Sequence, residues 1–388
     1  MIASDERRSR RIGAAFLRRS EGSIPFTANE RRLLNLVRSE GPLTRPDLAR
    51  RTDLALQSVV RLVDGLIERG FLTTGEKVNR GVGQPSVPIS LAATSAFTVG
   101  ASVTSDAMSV VMMDLSGRVV ASQHESVNGS DLVIVREQMG RTLATLVASA
   151  GIERSRVFGA GVATTGYFVD RGRLNTPATM GDWALRDLEA ELSQVLDMPV
   201  WIENDGNAAA VGESLFGVGR RHRSFAYLYI AAGLGGGLIL DGVPVRGFRG
   251  NAGEFTGLLP VQARETRPTL TLLLQLLQAD GLALSGIDEL VSRFDIAWPA
   301  VATWLDRTQE ALNAVVSAIA AVLDPEAIVI GGRIPSSLAS RLAQRAAFYA
   351  APLRERERPF PEVVRAEAPG DAAALGAASI PLQEYFFG

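Results

Sequence analysis

Apolar residues recur at helical spacing through the first part of the chain. In "TANERRLLNLVRSEG" the residues Leu33, Leu34 and Val37 share one face and Gly41 stops the pattern, which predicts an amphipathic helix. "PLTRPDLARRTDLALQSVVRLVDGLIERGFLTT" predicts two more. Thr44 is placed to N-cap a short helix over 45–51, with Pro46 in its first turn. After a brief turn at 52–55, a longer helix runs over about 56–69. Its apolar positions are Val59, Val60, Leu62, Val63, Leu66 and Ile67, and Gly70 ends it. "GFLTTGEKVNRGVGQPSVPISL" then reads as two short strands around a glycine-rich, basic tip.

Further along, the pattern changes. "AFTVGASVTSDAMSVVMMDLSGRVVASQHESV" reads as three strands joined by turns, with "DLSG" at 114–117 a strong hairpin signal. The same logic returns in "SFAYLYIAAGLGGGLILDGVPVRG": a strand over 225–231, a glycine loop over 233–237, and a hairpin at "LDG". Between the copies, "VFGAGVATTGYFVDRGRLNTPATMGDW" is a strand opening into a loop. "LRDLEAELSQVLDMPVWIENDGN" is a helix and a strand. Later, "WLDRTQEALNAVVSAIAAVLDPEAIVIGGRI" is a long helix feeding a buried strand. Two similar α/β halves are predicted, with the ligand cleft between them.

Three helices, the last two joined by a tight turn, make a helix-turn-helix. The second of that pair would enter the major groove with Leu56, Gln57, Ser58 and Arg61 forward. Gln and Arg match the edges of adenine and guanine in a bidentate way. A plain three-helix bundle would share these helices; the strand pair that follows has the form of a wing. Lys77, Arg80, Gly83 and Gln84 at its tip are expected to meet phosphates or the minor groove. Thr44 and Arg45 complete the candidate DNA-contact set.

Charge supports a division of labour. The formal net charge is −2, yet residues 1–90 carry 16 Lys and Arg against 10 Asp and Glu, and the remainder 24 against 32. A basic module on an acidic body suggests that only the first part meets a polyanion. There is no cysteine among the 388 residues, which excludes disulfides and thiolate metal sites and fits a cytoplasmic protein. No uninterrupted apolar run reaches the ~18 residues of a membrane span. The first residues, "MIASDERRSRRIGAAFLRRSEGS", lack an apolar core and read as a flexible basic arm, not a signal peptide.

The carriers of a specific resemblance are now in view: "LTRPDLARRTDL", "SVVRLVDGLIERGFL", "GVGQPSVPISL", "MPVWIENDGNAAAVGE", "AGLGGGLILDG", "GNAGEF" and "DPEAIVIGG". From about Thr27 onward the chain resembles the ROK family, which groups sugar-responsive repressors with sugar kinases on an actin-like ATPase fold. The resemblance implies a basic arm over 1–26, a winged helix-turn-helix over 27–91, and a two-lobed, sugar kinase-like effector domain over 92–388. The family's kinases lack the winged helix, so the repressor branch is implied. Asn204 and Asp205 match the family's sugar-hydroxyl contacts, Asp205 standing where the kinases keep their general base. Glu254 matches a sugar-binding glutamate, and the loop at Gly166 lies over the sugar in relatives.

The departures from the family pattern matter equally. Ser102 stands where the kinases' first phosphate loop has Asp, and Thr104 where it has Gly; neither ATP nor Mg²⁺ is therefore expected as a cofactor. Gly257 replaces a zinc-site His, and no zinc is expected. Thr179 stands where an Asn precedes the "GW" pair, and the family's further sugar-binding Glu has no counterpart. The expectation is a homo-oligomeric, sugar-responsive transcriptional regulator: a double-stranded operator and a small carbohydrate effector as partners, no membrane, and Asp205 as a vestigial base. An active sugar kinase with an appended DNA-binding domain is the alternative, and a regulator that has lost ligand sensing is a third.

Overall fold

Thr27 and Glu30 open the first helix with a reciprocal capping box. The Glu30 carboxylate accepts from the Thr27 amide at 2.7 Å while the Thr27 hydroxyl accepts from the Glu30 amide at 3.3 Å. This starts α1 (Ala28–Glu40). The computed structural model describes residues 26–76, 87–170, 172–349, 354, 356 and 358–387. Thr44 and Asp47 repeat the capping box at α2 (Arg45–Thr52), and Asp53 in the left-handed region turns the chain into α3 (Leu56–Glu68). Val59, Val63 and Leu66 of α3 are buried against Leu33, Leu34, Val37 and Leu48. The strands β1 (Leu72–Thr74) and β2 (Ile89–Leu91) pair antiparallel, Leu72 opposite Leu91, to form the wing's base. The expected contacts at its tip, Lys77, Arg80, Gly83 and Gln84, lie outside the described residues.

The first lobe follows: β3 (Phe97–Val103), β4 (Ala107–Asp114), β5 (Val119–Ser126), α4 (Leu132–Ser149), β6 (Val157–Thr164), a small hairpin of β7 (Tyr167–Phe168) and β8 (Leu174–Asn175), α5 (Leu188–Leu196), β9 (Val200–Asn204) and α6 (Asp205–Phe216). The second lobe comprises β10 (Phe225–Ile230), β11 (Leu234–Leu240), β12 (Val243–Pro244), α7 (Leu270–Ala279), α8 (Ile287–Ser292), α9 (Pro299–Leu323), β13 (Ala327–Gly332), α10 (Ser336–Arg345) and β14 (Glu362–Arg365), after which α11 (Ala372–Leu382) returns to pack on β3 and β6 of the first lobe. Their sheets run β5-β4-β3-β6-β9 and β12-β11-β10-β13-β14. In each, three antiparallel strands are extended by two parallel ones, so the repeat read in the sequence is a repeat of topology. Strands β3 and β10 are buried along their whole length, as expected of central strands covered by helices on both faces.

One expectation needs correcting. The glycines read as a loop over 233–237 belong mostly to β11, which pairs with β10 from Leu234 onward. Gly237 must be glycine because α6 presses onto it, and Gly236 because a Cβ there would meet the Phe255 ring and the Tyr227 carbonyl, whereas Gly233 and Gly235 face open space. A Cβ on Gly206 would sit 2.6 Å from the Gly236 amide, and one on Gly237 would sit 2.8 Å from the Gly206 carbonyl.

The winged helix has no separate core. Phe26 and Phe71 meet edge to face at 4.8 Å, and the Phe386 ring lies 5.2 Å from Phe26 and 5.4 Å from Phe158 of the first lobe. Phe386 belongs to the turn Gln383–Phe387 that extends α11. Among the described residues no helix is long and apolar enough to cross a membrane.

Candidate functional site

The strand β9 ends and α6 begins at the junction Asn204, Asp205. Asn204 is in extended backbone and N-caps α6, its carbonyl oxygen accepting from the Asn207 amide at 3.0 Å. Its amide nitrogen donates to the Gly166 carbonyl at 2.8 Å. Gly166 is at φ +132°, and a Cβ there would sit 2.8 Å from the Asn175 carbonyl, so only glycine fits at this bend. Asn251, from the second lobe, clamps the same hairpin through both backbone groups of Phe168, at 2.7 and 2.8 Å. Beneath, the buried Glu203 carboxylate meets Arg246 at 3.0 Å.

Gly166, Thr179, Asn204, Asp205 and Glu254 line one cleft of about 680 Å³ between the lobes. The structure thus brings together all five cleft residues singled out in the sequence. It gives Asn204 a second task, since both ends of its amide already hold the fold.

Asp205 is buried, with one oxygen accepting from the Gly206 amide at 2.9 Å. Burial raises its carboxyl to about 7, partly offset by the Gly206 bond, and the nearby Glu254 charge raises it further. Glu254 is open to the water of the cleft, yet the protein packed around it raises its carboxyl above the usual range. At neutral pH Asp205 is therefore divided between protonated and ionised forms, able to donate to or accept from hydroxyl groups.

On the other side of the cleft, Ser102 is buried in β3. Thr104 does not leave its loop open. Its hydroxyl accepts from Arg333 at 2.9 Å, and the same guanidinium pairs with Asp106 and, at 2.8 Å, with Asp288. Asp288 also bonds His124 at 2.9 Å and the Ser126 hydroxyl. Arg333 of the second lobe is thus fastened to the first. The sequence reading missed Arg333, Arg264 and Arg267, all of which line the cleft. The only signal for Arg333 was its position directly after the Gly331, Gly332 pair that ends β13.

In the N-terminal module, Leu56, Gln57 and Arg61 are exposed on α3 and Ser58 is partly so. Gln57 and Arg61 are one helical turn apart and project together. Thr44 is occupied with capping α2, and Arg45 pairs with Asp64 of α3, which ties the two helices together.

The fold and this cleft define a two-lobed, sugar kinase-like body joined to a DNA-binding winged helix. The ROK family model matches residues 98–266, and a MarR family model matches residues 24–79. The chain is 31% identical over 367 residues to y4fQ, an uncharacterized protein of Sinorhizobium fredii, covering 93% of this chain and 92% of that one. It is 24% identical over 226 residues to the xylose repressor of Bacillus subtilis, an alignment that spans 58% of this chain and 59% of the repressor. A solved ROK family transcriptional regulator, a homolog of the E. coli MLC protein, shares the fold at a TM-score of 0.66 and 19% identity, over 92% of this chain and 96% of that one. A ROK glucokinase from Streptomyces griseus, solved with glucose and AMPPNP, has a TM-score of 0.57 at 22% identity, over 74% of this chain and 99% of its own. The chain belongs to the ROK family and carries that family's domain behind a MarR-type winged helix.

Proposed function

We propose that this protein is a sequence-specific DNA-binding regulator, a repressor of genes for carbohydrate metabolism or transport. A small carbohydrate held in the interlobe cleft sets its affinity for the operator. Asp205, Glu254 and Thr179 supply the polar contacts, Asn204 and Gly166 shape the wall, and α3 reads bases through Gln57 and Arg61. The resemblance to the xylose repressor supports the class of effector.

One observation carries this reading: a continuous packed path joins the cleft to the winged helix. Helix α6 starts at Asp205 and packs against α11 at backbone contact; a Cβ on Gly212 would sit 2.0 Å from the Ala372 carbonyl, and one on Gly376 1.8 Å from that of Ala208. Helix α11 then leads into Phe386, which lies against Phe26 and Phe71. Close-packed elements of this kind move as units, so a change in lobe closure at Asp205 reaches the DNA-binding module. Two such modules in a homodimer would read two half-sites about one helical turn apart.

A kinase would use the same Asp205 as base, with Mg²⁺–nucleotide across the cleft. The residues on that side do not fit it. Ser102 offers no carboxylate for the metal, and Arg333 holds Thr104 and Asp106, where phosphate oxygens would have to approach. The test is operator binding measured by fluorescence anisotropy against a carbohydrate panel. A coupling of ~1–3 kcal/mol would change operator affinity roughly 5–150-fold. Asp205→Ala should abolish that change while operator binding without sugar stays near wild type. An unresponsive wild-type protein would overturn the proposal.

A further inference from the structure

Where relatives of this fold are expected to place a zinc loop and a further sugar-binding glutamate, this chain has the short turn Val261–Thr266 followed by Arg267. Arg264 and Arg267 come from this stretch and line the same cleft as Asp205 and Glu254. Both are partly buried, and among the described residues neither has a carboxylate within ion-pair distance. Glu265 between them is exposed and joins neither. Each guanidinium makes only backbone bonds: Arg264 donates to the Leu259 carbonyl at 3.3 Å, and Arg267 to the Arg264 carbonyl at 3.1 Å. The Nε of Arg267 is buried with no hydrogen-bond partner at all.

Two neighbouring guanidiniums in a cleft wall, short of donors' partners and without a counter-ion, are a costly arrangement for the ligand-free protein. Burial, and then the charge of Arg264, lowers the Arg267 guanidinium's hold on its proton. The other arginine of the cleft is different, because Arg333 is neutralised by Asp106 and Asp288. Arg267 is also held in place. Two residues later Thr269 caps α7, and its carbonyl accepts from the fully buried Trp304 at 2.9 Å. The pair is therefore preorganised for an anion, and the forked geometry of guanidinium suits the planar or tetrahedral oxygens of carboxylate or phosphate.

We infer that the effector is an acidic carbohydrate, a sugar carrying a carboxylate or a phosphate, whose anionic group docks between Arg264 and Arg267 while its hydroxyls face Asp205 and Glu254. This rests on the reading of the cleft as a carbohydrate site. It replaces the neutral sugar implied by the family resemblance with a charged one.

The test is calorimetric titration of the full-length protein with matched sets: glucose, xylose and galactose; glucuronate, galacturonate and gluconate; glucose 6-phosphate and xylose 5-phosphate; and inorganic phosphate alone. At least one acidic sugar should bind roughly ten- to hundredfold more tightly than its neutral parent, the range expected of charge-assisted hydrogen bonds. The gap should narrow as salt is raised. Arg267→Gln and Arg264→Gln should each remove most of the advantage of the acidic sugar over its neutral parent. Arg267→Lys, which keeps the charge in a variant less disturbing to the fold, should retain part of it. Whether the sugar carboxylates or the sugar phosphates show the gain identifies the anionic group. Neutral sugars binding as tightly as their acidic counterparts would overturn this inference and leave the carbohydrate regulator standing. Inorganic phosphate binding as tightly as any acidic sugar would also overturn it. Failure of every sugar to bind would overturn both.

Discussion

Changing Asp205 to Asn isolates the electrostatic cost of this cleft. The substitution keeps the side-chain volume and an oxygen to accept from the Gly206 amide, and it removes the charge. In the folded protein the Asp205 carboxyl titrates at about 7, whereas in an unfolded chain it titrates near ~3.9. Below the unfolded value both states are protonated and the residue costs nothing. Between the two values only the unfolded chain is ionised, so unfolding releases a proton and stability falls as pH rises. Above about 7 the cost is complete and constant. A displacement of about 3 pH units at ~1.36 kcal/mol each gives ~4 kcal/mol, an upper figure because water in the open cleft relieves part of it. The ligand-free Asp205→Asn protein should thus be more stable than wild type at pH 8 by up to that amount. The gain should shrink through pH 6, fall to about 1 kcal/mol near pH 4.5 and vanish only below about pH 3.9. For a body of this size ~4 kcal/mol corresponds to roughly 8 °C or somewhat less in Tm. Scanning calorimetry of both proteins from pH 4.5 to 8 reads it directly. A Tm difference that is the same at every pH, or a wild type more stable at pH 8, would refute the reasoning.

Three further outcomes are expected. Gln57→Ala and Arg61→Ala should each weaken operator binding by ~1–3 kcal/mol and relax base preference at the position contacted, as footprinting or a binding-site selection would show. Phe386→Ala should cost ~3–5 kcal/mol and, by removing the ring between Phe26 and Phe158, split calorimetric unfolding into separate transitions for the winged helix and the lobes; a single sharp transition would mean that the ring does not couple them. Chelator treatment should leave the melting temperature unchanged and elemental analysis should find no stoichiometric zinc, whereas one metal per chain would reveal a His or carboxylate site in place of the missing thiolates.

What could be read in the sequence was mostly local. The three N-terminal helices followed from capping residues and a 3.6-residue period. Thr44 caps its helix as expected, and the terminating glycine at position 70 has positive φ. The repeat of the two lobes was visible in the recurrence of hairpin signals. The misread glycines at 235–237 show where local reasoning ends. Nothing nearby in sequence says that a helix begun at Asp205, some thirty residues earlier, will lie against Gly236 and Gly237. The arginines are a similar case. Arg264, Arg267 and Arg333 sit in no periodic pattern, and only the folded cleft shows that Arg333 is neutralised and the other two are not. Asn204 was legible as a site residue from its motif, but not as the cap and clamp that its amide serves.

The central claim is that Asp205 serves sensing and not turnover. Operator binding and ATP consumption should be followed in the same wild-type and Asp205→Ala samples, across neutral and acidic sugars. The account predicts that one class of sugar shifts wild-type operator affinity at least roughly fivefold, that the shift is lost in Asp205→Ala, and that neither protein consumes ATP above background. Sugar-dependent ATP consumption by the wild type that disappears in Asp205→Ala would contradict it.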